Sequence, residues 1–161
     1  IGRDKEEQVS GNVVIGNKNK YLKTTEWGWQ IDPEGLLLVL RRISMLYRVP
    51  IMVVENGLGA VDKIEEDGTI QDDYRIAYLR EHIEQIEKAI EEGIPVIAYT
   101  NWSALDIVSA ASGQLKKRYG LIYVDRHDDA SGNFRRIPKK SYEWYKRLIH
   151  NNGLSFERGN E

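Results

Sequence analysis

Cysteine is absent from this chain of 161 residues, and that absence removes a disulfide framework, a thiolate metal site and a cysteine nucleophile together. Long apolar runs are missing as well. None approaches the ~18 residues of a membrane span, and the opening Ile1-Gly-Arg-Asp-Lys-Glu-Glu lacks the apolar stretch of a signal peptide. A soluble, cytoplasmic protein with no membrane partner is therefore expected. An excess of one charge is also lacking: the formal net charge of -2 gives no global electrostatic reason to bind nucleic acid. No glycine-rich phosphate loop points to nucleotide chemistry. His82, His127 and His150 show no ligand spacing, so they read as surface residues, not metal ligands, and no metal is expected.

What remains is enough for one core, with 41% hydrophobic and 30% charged residues. Residues 1–20 mix charge, glycine and asparagine without a sustained period and read as a tail or surface loop. Asp32-Pro33 opens a helix, with Asp32 at the N-cap and Pro33 at the first position, where a missing N–H is harmless. Leu36, Leu37, Leu40, Ile43 and Tyr47 form its apolar face, and Pro50 ends it near Arg48. A short apolar strand, Ile51 to Val54, follows. Asp72 is placed to cap a second helix, whose Ile76, Leu79, Ile83, Ile86 and Ile90 recur at spacings of three and four. Gly93 stops it, and Pro95 to Thr100 forms a second apolar strand. Residues 119–125 and 133–138 pattern as a hairpin, and Ser141 is placed to cap a last helix through Ile149. Residues 156–161 read as a C-terminal tail.

Helix, strand, helix, strand, helix is the rhythm of βα units on a parallel sheet. Two such strands cannot close a sheet, and a (β/α)8 barrel typically takes ~250 residues. Residues 21–155 are thus expected to be the C-terminal portion of an α/β TIM barrel, about strands seven and eight with their flanking helices. Standing alone, such a piece would leave sheet edges and an apolar inner face exposed. Together with a first residue that is not Met, this reads as part of something longer, requiring either the missing N-terminal barrel portion or self-association.

The first strand delivers Glu55 to a glycine-marked turn, Val53-Val-Glu55-Asn-Gly57-Leu-Gly59, at the strand end where barrels keep their chemistry. The motif resembles the nucleophile segment of family 1 glycoside hydrolases, which are retaining (β/α)8-barrel enzymes. The likeness runs in order from about residue 20 to 150. Trp27-Gly-Trp-Gln-Ile-Asp32-Pro33-Glu-Gly-Leu36 resembles the segment entering the family's sixth barrel helix. Asp72-Asp-Tyr-Arg75 resembles the helix after the nucleophile strand. Tyr99-Thr-Asn-Trp102-Ser103 and Lys117-Arg-Tyr119-Gly120 resemble strand eight and its loop. The resemblance implies Glu55 as nucleophile, Trp102 as the aromatic face beneath the sugar, a cis Trp102-Ser103 peptide in an intact barrel, and no organic cofactor. The family's acid/base glutamate sits in an Asn-Glu-Pro sequence, which occurs nowhere in this chain.

One departure bears on substrate. Seven residues after Trp102, where ordinary β-glucosidases of the family carry a Glu-Trp pair for the sugar's 4- and 6-hydroxyls, this chain has Ser109-Ala110. A hydroxyl in place of a carboxylate removes a charge that would repel a 6-phosphate and supplies a donor. Ser109, Lys117 and Tyr119 match the phosphate ligands of the 6-phospho-β-glycosidase branch, an ammonium and two hydroxyls for a dianion. Ala110, where phosphogalactosidases tend to carry Trp, favours phosphoglucosides. The expectation is part of a retaining 6-phospho-β-glucosidase, acting on phosphorylated β-glucosides and inactive as an isolated chain because the acid/base is absent. The rival readings are a non-catalytic sugar-phosphate-binding fragment that self-associates, and an ordinary β-glucosidase fragment.

Overall fold

The structure is a computed structural model and describes residues 19–158. The expected tail over 1–20 lies almost wholly outside the described residues. Helix α1 (Pro33–Tyr47) starts as the sequence requires, with Asp32 Oδ1 accepting the Gly35 N–H at 2.9 Å and Pro33 at the first position. It stops at Arg48, which turns left-handed (φ 51°) and donates its N–H to the Ser44 carbonyl. Strand β1 (Ile51–Asn56) runs past Val54 and carries Glu55 within it. Helix α2 (Asp73–Glu91) buries Ile76, Leu79, Ile83 and Ile86. Ile90, expected on the same face, is 52% exposed and lines a shallow hollow with Ile97 and Ile149.

Strand β2 (Val96–Asn101) lies parallel to β1, with Ile51 opposite Val96 and Val53 opposite Tyr99. β3 (Ile122–Val124) and β4 (Arg136–Pro138) form the expected antiparallel hairpin. Helix α3 (Lys140–His150) and a short α4 (Ser155–Arg158) finish the described chain. α4 falls in the stretch expected as tail, yet it is docked: Leu154 is buried beside it, and Glu157 accepts from both Arg80 and the Trp144 indole at 2.6 Å.

α2 is the spine of the packing. One of its sides meets Leu37, Leu40, Ile51 and Ile94; the other meets Leu121, Trp144, Leu148 and Leu154. The opposite face of the parallel pair is uncovered, with Met52 47%, Val54 65% and Ile97 68% exposed. A strand reading as doubly buried is thus covered on one side only, because among the described residues no further strands or helices face it.

Two capping expectations are corrected. Asp72 stands at the N-cap of α2 but makes no cap bond there. Its carboxylate instead takes the Ser141 N–H at 2.8 Å, the Ser141 hydroxyl at 2.6 Å and Arg75 Nε at 2.9 Å. Ser141 is therefore inside α3 and not its cap; Asp72 caps the neighbouring helix because a buried carboxylate needs charged and multiple donors. From this pair a buried ionic network spreads. Arg75 Nη2 reaches Asp62 at 3.0 Å, Lys139 bridges Asp62 and Asp106 at 2.5 and 2.8 Å, and Arg118 lies 3.7 Å from Asp106.

Burial alone would raise the Asp62 carboxyl, but the Arg75 and Lys139 charges together hold it below its ordinary value. A carboxyl with a depressed folded pKa contributes stability that is present above the unfolded value and lost as pH falls through the folded one. Unfolding monitored between pH 6 and pH 3 should show that loss beginning below about pH 4, the range of an unfolded aspartate, and Asp62→Asn should flatten it. Arg75→Met, which strands two buried carboxylates, should cost about 3–5 kcal/mol by denaturant titration at neutral pH.

Candidate active site

The site is assembled from three segments: the end of β1, the end of β2 with its long loop, and the Trp27-Trp29 stretch ahead of α1. β1 pairing with β2 sets Asn56 beside Asn101, and the Asn56 carbonyl accepts the Trp102 N–H at 3.0 Å. Tyr99 donates its hydroxyl to Asn56 Oδ1 at 2.9 Å, and Asn56 Nδ2 donates to the Tyr78 hydroxyl at 3.3 Å. The residue following Glu55 is thereby fixed from three sides. The Glu55 side chain is exposed near the C-terminal end of β1.

The glycine turn brings the remaining groups in. A Cβ on Gly57 would stand 2.8 Å from Trp102 Cβ, so only glycine lets the tryptophan lie against the end of β1. Trp102 stacks on Tyr119, centroids 5.5 Å apart at 16°, and Trp29 leans on both at 5.7 and 6.1 Å. Tyr119 donates its hydroxyl to Ser109 Oγ at 2.9 Å. Ser109 is itself buried in a turn closed by the Gly113 N–H on its carbonyl at 2.7 Å.

Lys117 completes the group. It is fully buried, and its Nζ has no hydrogen-bond partner among the described residues. The ammonium rests over the Trp29 ring at 3.8 Å, with Trp27 and Tyr119 at 5.3 and 5.6 Å. Aromatic faces attract a cation but fill none of its three donor sites. Burial pushes Lys117 down from the ordinary lysine value and pushes the Tyr119 phenol up, against the Ser109 bond. The phenol therefore stays a donor at neutral pH, and the Lys117 Nζ keeps donor sites that no group among the described residues fills.

All five residues singled out in the sequence lie at the C-terminal ends of the two strands or on the loops beyond them. Ser109, Lys117, Tyr119 and Trp102 form one aromatic-lined cluster, with Glu55 at the strand end beside it. Trp29 went unremarked as a site residue. In the basic run Lys116-Lys117-Arg118 only Lys116 is exposed, while Lys117 and Arg118 are buried. His82 is buried, stacked on Tyr78 at 4.0 Å, and so is not a surface residue. The Trp102-Ser103 peptide is trans, as is every peptide among the described residues. The cis form costs ~2.5–4 kcal/mol, and the surroundings present here do not impose it.

A parallel βα piece with a carboxylate and aromatic cation pocket at its strand ends is the functional face of a (β/α)8 barrel. The glycosyl hydrolase family 1 model matches residues 3–154, and the chain belongs to that family. It is 56% identical over 145 residues to the aryl-phospho-β-D-glucosidase BglH of Bacillus subtilis (strain 168), covering 90% of this chain and 31% of that protein. It is 52% identical to a 6-phospho-β-glucosidase of Clostridium longisporum, covering 96% of this chain and 34% of that one. Among solved structures, the family 1 β-glucosidase from Thermotoga maritima superposes with a TM-score of 0.78 at 38% identity, over 87% of this chain and 30% of that one. The chain spans about a third of the length of the relatives it matches, and its fold is the corresponding part of their TIM barrel.

A buried cation without a counter-charge destabilises the empty protein. Lys117→Met, which keeps the stem and discards the charge, should raise the unfolding free energy by about 1–3 kcal/mol, measured by denaturant titration.

Proposed function

We propose that this chain supplies the nucleophile and the phosphate-recognition wall of a retaining 6-phospho-β-glucosidase. The observation that carries the reading is the buried, unpartnered Lys117 ammonium next to the bonded Ser109–Tyr119 hydroxyls. An ordinary glucoside offers no charge to neutralise that cation. A dianionic 6-phosphate does, and it can accept from ammonium and hydroxyl together. The same loop in an ordinary glucosidase would need an acceptor for sugar hydroxyls, whereas Ser109 is already engaged with a donor at its oxygen. The names carried by the similar Bacillus and Clostridium enzymes support the phosphorylated substrate.

With the phosphate held by Lys117, Ser109 and Tyr119, the sugar would lie on Trp102 with its anomeric carbon toward Glu55. In the first step a Glu55 oxygen forms a bond to that carbon as the glycosidic C–O bond breaks, and the leaving oxygen takes a proton from a second carboxylic acid. In the second step water attacks the glycosyl ester, gives its proton to that same group and releases Glu55. The two carboxyl groups of a retaining enzyme stand about 5–5.5 Å apart. The second belongs to a part of the barrel outside this sequence. The isolated chain is accordingly read as inactive, and the uncovered Met52, Val54 and Ile97 face as the seat of the remaining barrel. No nucleic acid, membrane or cofactor enters the reaction. Because a phosphorylated sugar does not cross a bilayer unaided, the cytoplasm is the fitting compartment.

The deciding test is hydrolysis of nitrophenyl β-glucoside 6-phosphate against nitrophenyl β-glucoside by the full reading frame that contains this chain. The phosphorylated compound should be preferred by about a hundredfold or more, Glu55→Gln should lose at least about a thousandfold, and the 161-residue chain should be inert. Equal rates on the two substrates would leave the ordinary β-glucosidase reading in possession.

A further inference from the structure

Behind Glu55 the chain passes Gly57 and then Gly59, and the second glycine has a neighbour of a different kind. A Cβ built on Gly59 would lie 2.6 Å from both Cγ and Cε of Lys117 and 3.0 Å from Tyr119 Cε1. The lysine stem therefore crosses the nucleophile turn through the space a side chain would occupy. Gly59 is not in the left-handed region, so its backbone alone would accept alanine; what excludes alanine is the stem.

The backbone around this crossing cannot retreat. On one side the Leu58 carbonyl accepts from Arg75 Nη1 at 3.0 Å. On the other, Ala60 and Arg118 exchange two backbone bonds, at 3.0 and 2.8 Å. The same guanidinium contacts the Arg118 and Tyr119 carbonyls at 3.4 and 3.3 Å. Both loops are thus tied to one buried cation on either side of the contact, and the component free to yield is the flexible end of Lys117.

We propose that Gly59 is a specificity-determining position: by withholding a Cβ it lets the Lys117 stem cross the nucleophile turn, and so places the ammonium where the substrate's phosphate is read. This rests on the phosphoglucosidase reading and adds to it a residue that touches neither the sugar nor the phosphate. Its action is through Lys117, which makes it a positioning residue.

The test is a double-mutant cycle in the full-length hydrolase, assayed on nitrophenyl β-glucoside 6-phosphate. Gly59→Ala should raise KM by roughly tenfold to a hundredfold, the range expected when one charge-assisted contact is lost, with kcat within about threefold of the parent. In a Lys117→Ala background, where no stem remains to be displaced, Gly59→Ala should add little, giving strong coupling between the two positions. An unchanged KM in Gly59→Ala, beside a raised KM in Lys117→Ala, overturns the role of Gly59 and leaves the phosphate site standing. An unchanged KM in Lys117→Ala overturns the substrate reading and this inference with it. A fall in kcat at fixed KM, or additive effects of the two changes, shows that the methyl acts on the nucleophile turn and refutes the proposal. Should Gly59→Ala alone fail to fold, folding of the double variant supports the crossing, and failure of both refutes it.

Discussion

The Arg75 guanidinium is the constraint on which the arrangement depends. It leaves the first turn of α2 at 1% exposure and spends its donors on Asp72, Asp62 and the carbonyls of Leu58, Arg118 and Tyr119. Those carbonyls belong to the two loops that follow the two parallel strands. A barrel's catalytic loops have little regular structure of their own to hold them in register; here a planar, permanently charged group with donors in a fixed fork does so. A lysine, with one point of charge, could not span three carbonyls and two carboxylates. The cost of burying the charge is met by geometry, since Asp62, Asp72 and Asp106 stand against Arg75, Arg118 and Lys139, and each additional hydrogen bond offsets part of the desolvation penalty.

Much of this was legible in the sequence, and the parts that were not share a cause. Asp32-Pro33, the periodicity of α2 and the strand-turn at Glu55 are local signals, and α1, α2 and β1 fall where those signals put them. Ser109, Lys117 and Tyr119 are separated in the chain, and their gathering was legible only through the family resemblance. Capping was misassigned at Asp72 and Ser141 because a side chain's choice between its own helix and a neighbouring one is decided by tertiary packing, which spacing does not encode. His82 follows the same logic. It lies among polar neighbours in the sequence, and its burial comes from the stacking partner one turn earlier, Tyr78. Trp29 was missed because a tryptophan near a helix start is unremarkable until a lysine from 88 positions later, Lys117, is found on its face.

On the proposed phosphate-reading role, the aromatic surroundings of Lys117 follow from what the pocket must do. A carboxylate at that place would hold the ammonium more firmly than any ring, and would make the empty protein more stable. It would also compete with the phosphate for the same donors and repel its charge. Indole and phenol faces offer the cation an attraction of about 0.5–2 kcal/mol, enough to orient it and too little to satisfy it. On that reading the site carries its specificity as an electrostatic demand that no hydrogen-bond partner among the described residues meets. Stability and recognition would then be set against each other at one atom, whereas the buried Lys139 is paired with Asp62 and Asp106.

Under the proposed function, that opposition bears on why Glu55 and the proposed phosphate ligands share one continuous stretch of chain. The reacting carbon and the 6-phosphate are the fixed points of a single sugar ring, so their separation cannot vary from one substrate to another. The aglycone can vary, and so can the groups that meet it. With Glu55 near the end of β1, and Trp102 and Lys117 on the loop after β2, tied together through Arg75 and the Ala60–Arg118 bridge, that distance would be set within one segment of the barrel. The leaving-group side, with its proton donor, can then be built on the rest of the barrel and diverge without disturbing it.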